Sequence, residues 1–164
     1  MEARAVSEIP RGRQWQYEPK WDGFRCLLGR SRDAAAMRSK SGQDLARYFP
    51  EIADAAVTLP ERDYVLDNEL VISTKRGFSF DDLLQRIHLA KSRIRRLAVE
   101  TPALFIAFDL LMRTGIDLAG MKLSDRRREL EDFTQSPIFR LSPASTKLTD
   151  AQRWLMAMGG VIKT

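Results

Sequence analysis

Tyr17-Glu18-Pro19-Lys20-Trp21-Asp22-Gly23-Phe24-Arg25 is the stretch around which this chain is organised. It sets a lysine, a carboxylate, a glycine and an arginine close together, between two apolar runs. Trp15 to Lys20 reads as a short strand. Phe24 to Leu28 reads as a second, with Phe24, Cys26 and Leu28 on one face. Lys20 then stands at a strand end, flanked by Pro19 and Trp21, where a rigid backbone fixes the direction of its amine. A lysine attacks an electrophile only as the neutral amine, and nearby cations with partial desolvation bring that form within reach. The same residues also describe an ordinary strand end and an Asp-Gly turn, with Lys20 solvated. Lys-x-Asp-Gly arises by chance in about one chain of thirty at this length, so its meaning depends on the rest of the sequence.

Working outward, residues 1–14 read as a loose arm, and Ala34 to Arg38 closes a hairpin after the turn Ser31-Arg32-Asp33. Arg38-Ser39-Lys40-Ser41-Gly42 is either a polar loop with Gly42 at positive φ or a loop whose donors suit phosphate oxygens. Pro50 fits a first helical position, and Ile52, Ala55, Ala56 and Leu59 form a helical stripe. Tyr64 to Ile72 is a strand pattern that puts Asp67 and Glu69 on one face and Leu66 and Leu70 on the other. Two such carboxylates suit a divalent metal or a ribose, or a solvated edge. Ser79 and Asp82 read as a helix cap, Leu83, Leu84 and Ile87 as that helix's buried stripe, and His88 as its C-terminal residue beside carbonyls. Lys91 to Arg96 reads first as a solvated helix face and second as part of a DNA surface. Ala103 to Leu111 is a buried central strand whose lone acid, Asp109, needs a partner or a site mouth. Phe108 on it is core or a stacking ring. Gly115 to Leu118 is a turn. Ser124 is expected to cap a helix bearing Arg126, Arg127 and Arg128, and Phe139 to Leu141 is a short strand. Thr149, with Gln152, is expected to cap a last helix whose apolar face is Trp154, Leu155 and Met158.

At 164 residues and 44% hydrophobic content, the chain has the size of one domain with a real core. No run approaches the roughly 20 apolar residues of a membrane span, and Met1 to Gln14 has no apolar signal core. The single Cys26 fits a reducing compartment, and with the single His88 it cannot build a four-ligand zinc site. Twenty-seven Lys and Arg against 22 Asp and Glu give a net charge of +5 and a pI near 9.7, which suits a polyanionic partner.

Taken together, these segments resemble ATP-dependent DNA ligases, above all bacterial ligases of the end-joining and repair type. The opening stretch is similar to their Lys-x-Asp-Gly-x-Arg nucleotide motif. Arg38 followed by Phe49-Pro50-Glu51 is similar to their phosphate-contacting loop and helix start. Asp67-Asn68-Glu69-Leu70 matches Asp-Gly-Glu-Leu, with Asn68 in place of glycine. Phe80 to Arg86 looks like the family's Phe-x-x-Leu-Gln-x-Arg helix, and Phe105 to Leu111 like its Phe-x-x-Phe-Asp-Leu-Leu strand.

The resemblance implies an α/β (α+β) nucleotidyltransferase-type adenylation domain over residues 1–164, with mostly antiparallel sheets flanked by helices and a nucleotide cleft. It implies that Lys20 becomes a lysine–AMP phosphoramidate. Glu18 would recognise adenine, Arg25 and Arg38 would contact phosphate or ribose, and Phe108 would stack on the base. Asp22 and Glu69 would serve metal, ribose or the nick 3′-hydroxyl. The cofactors implied are ATP and Mg²⁺ or Mn²⁺. The partners implied are nicked double-stranded DNA and end-joining or repair proteins, for a monomer away from membranes in a bacterial cytoplasm, at the nucleoid during repair.

Departures fall at the C-terminal end. Gly159 stands where the family has an acid before Gly160-Val161-Ile162-Lys163. The next motif, with paired lysines, and an oligonucleotide-binding-fold domain are expected beyond Thr164. These departures keep open a non-catalytic remnant that binds nucleotide or DNA. Lys-x-Asp-Gly alone is shared with RNA ligases and capping guanylyltransferases, but the Phe80 to Arg86 and Phe108 to Leu111 segments look more like bacterial DNA ligases.

Overall fold

The computed structural model describes residues 7–75, 77–133 and 138–158. The chain forms two compact units, one of Asp22–Leu141 and one of the segments before and after it.

The larger unit is built on a seven-stranded sheet. Its first hairpin pairs β1 (Phe24–Ser31) with β2 (Ala34–Ser39), antiparallel, through a turn in which Arg32 takes φ 55°. Helix α1 (Pro50–Thr58) follows, with Pro50 in its first turn and Ile52 and Ala56 buried, as the apolar spacing predicts. The central strand β3 (Asp63–Thr74) lies between β1 and β5 (Ala103–Arg113), antiparallel to both. A two-residue β4 (Gly77–Phe78) pairs back onto β3.

Helix α2 (Phe80–Ile87) starts as the capping pattern predicts: the Asp82 amide donates to Ser79 Oγ at 3.3 Å, and His88 is the C-cap. Helix α3 (Lys91–Glu100) precedes β5. Thr114 and Gly115, both at positive φ, turn the chain into β6 (Ile116–Asp117), so Ile116 and Asp117 pair with β5 rather than belonging to the turn. Helix α4 (Leu123–Glu131) and β7 (Phe139–Leu141) complete the unit. β7 runs parallel to β5, whereas the other strand pairings among the described residues are antiparallel.

The register decides which side chains share a face. Across the sheet Phe24 faces Leu70, Cys26 faces Asn68 and Leu28 faces Leu66. These rows continue to Phe105, Ala107 and Leu110 on β5. They bury together with Ile52 of α1, Leu83 of α2, Ile94 of α3 and Leu130 of α4 in one core. Because side chains alternate along a strand, the neighbouring rows point the other way and are left for polar chemistry.

The buried Cys26 belongs to this core, and burial, the largest cause, pushes its thiol up to about 12. The neutral thiol therefore contributes stability below an unfolded pKa of about 8.5, and that contribution is lost as the pH climbs towards about 12. Since the thiolate is the nucleophile, native protein at about pH 8 is expected to resist iodoacetamide and to label fully in concentrated guanidinium. Rapid labelling of the folded chain, followed by mass spectrometry, would contradict a sealed core at β1.

Two buried arginines tie helices to the sheet. Arg30 Nη1 donates to the carbonyls of Ala56 (3.2 Å), Leu59 (2.5 Å) and Glu61 (2.9 Å), closing the C-terminal end of α1, whose last carbonyls lack helical donors. Arg86, the arginine matched to the family's helix motif, is 1% exposed. It pairs with Glu51 of α1, donates to the carbonyls of Leu97 (2.9 Å) and Thr101, and lies over the Phe49 ring. Glu51 in turn accepts from the Ala103 amide at 2.9 Å, so one ion pair joins α1, α2, α3 and β5.

Three further helix starts or strands differ from the sequence expectation. Trp15 to Lys20 is not a strand; within the smaller unit Tyr17 forms an isolated bridge with Ser145, because one pair of backbone hydrogen bonds, 2.8 and 3.0 Å, is not continued into a ladder. Helix α4 begins at Leu123 with Lys122 as an N-cap without a side-chain bond, so Ser124 lies inside the first turn. Helix α5 (Leu148–Met158) begins one residue before Thr149. Ser145 there accepts from the Lys147 amide at 3.0 Å and donates to Asp150 at 2.6 Å.

The smaller unit has its own core of Tyr17 and Ala151, with Ile9, Trp15, Leu148 and Trp154 against it. Tyr17 Oη donates to the Pro10 carbonyl at 2.7 Å. Residues 9 and 10 of the expected loose arm are therefore packed. Leu155, expected on the apolar face of α5, is exposed. The Met158 side chain and Gly159 to Lys163 lie outside the described residues.

Candidate functional site

The second face of the large sheet carries most of the residues that the sequence singles out. Cross-strand partners share a face. Arg25 on β1 faces Glu69 on β3, and Leu27 faces Asp67 and, on its other side, Arg38 of β2. Arg25, Arg38, Asp67 and Glu69 thus lie on one face of three adjacent strands. Arg38 is exposed, whereas Asp67 and Glu69 are 3% and 9% exposed.

Phe108 lies two residues after Ile106, which faces Glu69, so alternation puts it on this face, where a bulge interrupts the pairing. Asp67 pairs with Asp109 and Asn68 with Ala107, so Phe108 is the extra residue on β5. A bulge re-aims the side chains around it, and the shift is visible in the core: Ala103, Phe105 and Ala107 are buried there, then Leu110. The Arg25 guanidinium lies 5.8 Å from the Phe108 ring centroid, within cation–π range.

Asn68, where the family pattern has glycine, does not use a left-handed backbone. The positive-φ non-glycine residues among those described are Arg32 and Thr114. Asn68 is fully buried, and its side-chain amide donates across the sheet to the Cys26 carbonyl. The irregularity that glycine would ease sits on the opposite strand, at Phe108.

Arg25 is held by a bidentate pair, Nε to Asp67 Oδ1 at 3.0 Å and Nη2 to Oδ2 at 2.6 Å. Such a fork fixes the plane of the guanidinium as well as its position. The sequence reading had Asp67 and Glu69 as equivalent carboxylates for metal or ribose. In the structure Asp67 is engaged by Arg25, and Glu69 lies one row along, across from Arg25. Asp67 is thus a positioning residue for Arg25, a role that the sequence pattern did not assign to it. Asp109 is likewise accounted for. Arg126 of α4 grips it with two bonds of 2.8 Å, and these hydrogen bonds hold the Arg126 guanidinium above its ordinary value.

Asp22 is exposed and precedes β1. Gly23 after it is required by close approach: a Cβ there would come within 2.1 Å of the Leu70 carbonyl oxygen and 3.0 Å of Glu69 Cγ. The glycine of Lys-x-Asp-Gly thus lets the start of β1 lie flat against β3 beside Glu69.

In the smaller unit Glu18 is 5% exposed and accepts from Gln16 Nε2 at 2.8 Å. Lys20 is exposed. The residues around them are pinned by the Tyr17–Ser145 bridge and by Trp21 Nε1, which donates to Ser142 Oγ at 2.9 Å.

Among the described residues no three His, Cys, Asp or Glu side chains converge as a metal cage would require. Magnesium, however, is commonly held by one or two carboxylates plus substrate phosphates and water. Asp22 and Glu69, at either side of Gly23, suit that mode.

Known proteins resemble this chain in sequence and in fold. The model of the ATP dependent DNA ligase domain matches residues 2–158. DNA ligase C2 of Mycolicibacterium smegmatis is 43% identical over 163 residues, covering 98% of this chain and 45% of that protein. DNA ligase C of Mycobacterium tuberculosis is 41% identical over 167 residues, covering 98% and 46%. The crystal structure of the ligase domain from M. tuberculosis LigD superposes with a TM-score of 0.64 at 26% identity, over 88% of this chain and 46% of that one. The chain spans about half the length of these relatives. With a family model over nearly its whole length and two relatives above 40% identity, the chain belongs to the ATP-dependent DNA ligase family.

Proposed function

We propose that this chain is the adenylation domain of a bacterial end-joining-type DNA ligase, and that Lys20 carries AMP for sealing nicks in duplex DNA. The observation that carries the reading is the single sheet face that gathers Arg25, Arg38, Glu69 and Phe108, in a family whose members use ATP. The Lys20 amine, neutral at the moment of attack, forms a nitrogen–phosphorus bond with the α-phosphate of ATP. The bond to pyrophosphate breaks, pyrophosphate leaves, and the amine loses its proton. AMP then passes to the 5′-phosphate of the nick, and the 3′-hydroxyl displaces it to form the phosphodiester.

By the family resemblance, Phe108 is assigned to stacking on the base and Glu18 to recognition of adenine. Arg25, oriented by Asp67, and Arg38 meet phosphate or ribose oxygens, where preorganised donors act without reorganising. Asp22 and Glu69 would hold Mg²⁺ or Mn²⁺ together with phosphate oxygens, and the ion supplies charge neutralisation at the phosphates. No helix among the described residues is long and apolar enough to cross a membrane. Nicked duplex DNA, repair or end-joining proteins, a monomeric state and a cytoplasmic, nucleoid-associated location complete the proposal.

The test is intact mass after incubation with ATP and Mg²⁺ or Mn²⁺. Wild type is expected to gain one AMP, and Lys20→Ala none. A folded wild-type chain without the adduct would refute catalysis by this chain and favour a remnant that only binds. Sealing of nicked RNA in preference to nicked DNA would move it to the RNA ligases.

A further inference from the structure

The cations of α3 do not behave as an ordinary solvated helix face. Lys91, Arg93, Arg95 and Arg96 are all exposed, and Ile94 is the buried residue of the helix. Among the described residues Arg96 has a carboxylate partner, Glu100 at 3.5 Å, while no ion pair reaches the other three. Lys91 and Arg95 are like charges four residues apart, an arrangement that costs a helix about 0.2–0.5 kcal/mol. Lys91 and Arg93 also occupy the first turn, which holds no acid and where the helix dipole disfavours cations.

The same helix forms one wall of an open groove of about 810 Å³ against α1. Arg47, Lys91 and Arg95 line it, and the Arg47 guanidinium is set over the Tyr48 ring at 4.7 Å. Of the groove's two acids, Asp54 is exposed and Glu51 is committed to Arg86. Cations that weaken their own helix and gather along one groove are explained by a polyanion that discharges them.

We propose that this α1–α3 surface, through Arg47, Lys91 and Arg95 with Arg93 beside them, binds the sugar–phosphate backbone of duplex DNA. The proposal deepens the ligase reading and rests on it. Duplex DNA is favoured over an acidic peptide because the positive charge follows the exposed side of α3 past the groove, to Arg93, which a peptide seated in the groove would not meet. Contacts of this kind position a duplex without reading its sequence and weaken steeply with salt.

The test measures binding of a fluorescent nicked duplex to the full chain over a salt series. Arg47→Glu/Lys91→Glu/Arg95→Glu is compared with the milder Arg47→Gln/Lys91→Gln/Arg95→Gln. Lys122→Glu/Arg128→Glu/Arg153→Glu supplies the same change in net charge elsewhere. The groove variants are expected to weaken binding about tenfold or more and to flatten the logarithmic salt slope by about one per cation, while the AMP adduct forms as in wild type. Wild-type binding by both groove variants, an equal loss in the charge control, or no duplex binding by wild type at low salt would overturn the surface. Displacement of DNA by poly-L-glutamate at matched charge would reassign it to an acidic protein. Loss of the adduct in wild type would instead strike the ligase reading, because the adduct is read without DNA.

Discussion

Arg86→Ala is expected to lower the unfolding free energy by about 3–5 kcal/mol and Tm by roughly 10 °C for a chain of this size. The guanidinium is 1% exposed, and its partner Glu51 is nearly as buried, at 8% for its side chain. Truncation leaves that carboxylate without its counter-charge and the Leu97 and Thr101 carbonyls without their donor. Leaving buried polar groups unmade costs more than the net worth of the bonds. The double variant Arg86→Met/Glu51→Gln is therefore expected to recover a large part of the loss, because neither charge is then stranded. Thermal and denaturant unfolding of the three proteins measures this. A loss below about 1 kcal/mol in Arg86→Ala would mean that the helices are held by apolar packing alone.

Gly23→Ala is expected to cost about 1–3 kcal/mol, the range for overpacked sites, and to reduce formation of the AMP adduct at least tenfold. A methyl group at 2.1 Å from the Leu70 carbonyl oxygen cannot be accommodated by rotating a side chain, because the obstacle is backbone. The start of β1 must move off β3, carrying Asp22 and Arg25 with it. A displacement of about 1 Å near reacting groups can cost on the order of 100-fold in rate. Adduct yield under limiting ATP, measured beside Tm, separates the two effects. A folded variant that adenylates like wild type would show that β1 has slack at Gly23.

Much of the fold around the candidate site was legible along the chain because its signals are local. The alternation in Tyr64 to Ile72 placed Glu69 opposite the core-facing Leu70, and β3 follows it. The continuous apolar run at Ala103 to Leu111 marked a strand buried within the sheet, which is what β5 is. Ser79 and Asp82 marked the start of α2, because a cap needs three residues and no tertiary partner. Helix starts without a side-chain cap, at Lys122 and Ala90, carried no such mark, and Ser124 was accordingly misplaced as a cap.

By itself, then, the sequence determined the family motif around Lys20, the mixed, mostly antiparallel fold, and the side chains proposed for a nucleotide site. Tertiary structure alone decided how those side chains are held. Asp67 lies 42 residues from the arginine it grips, Glu51 lies 35 from Arg86, and Arg126 lies 17 from Asp109. Periodicity reports which face a residue takes within its own element, whereas an ion pair forms between elements whose register is set only when the sheet assembles. The bulge at Phe108, beyond which the core row steps from Ala107 to Leu110, is of the same kind, because an extra residue on one strand exists only relative to its partner. Register also explains Gly23, whose need for a missing side chain comes from the Leu70 carbonyl of another strand.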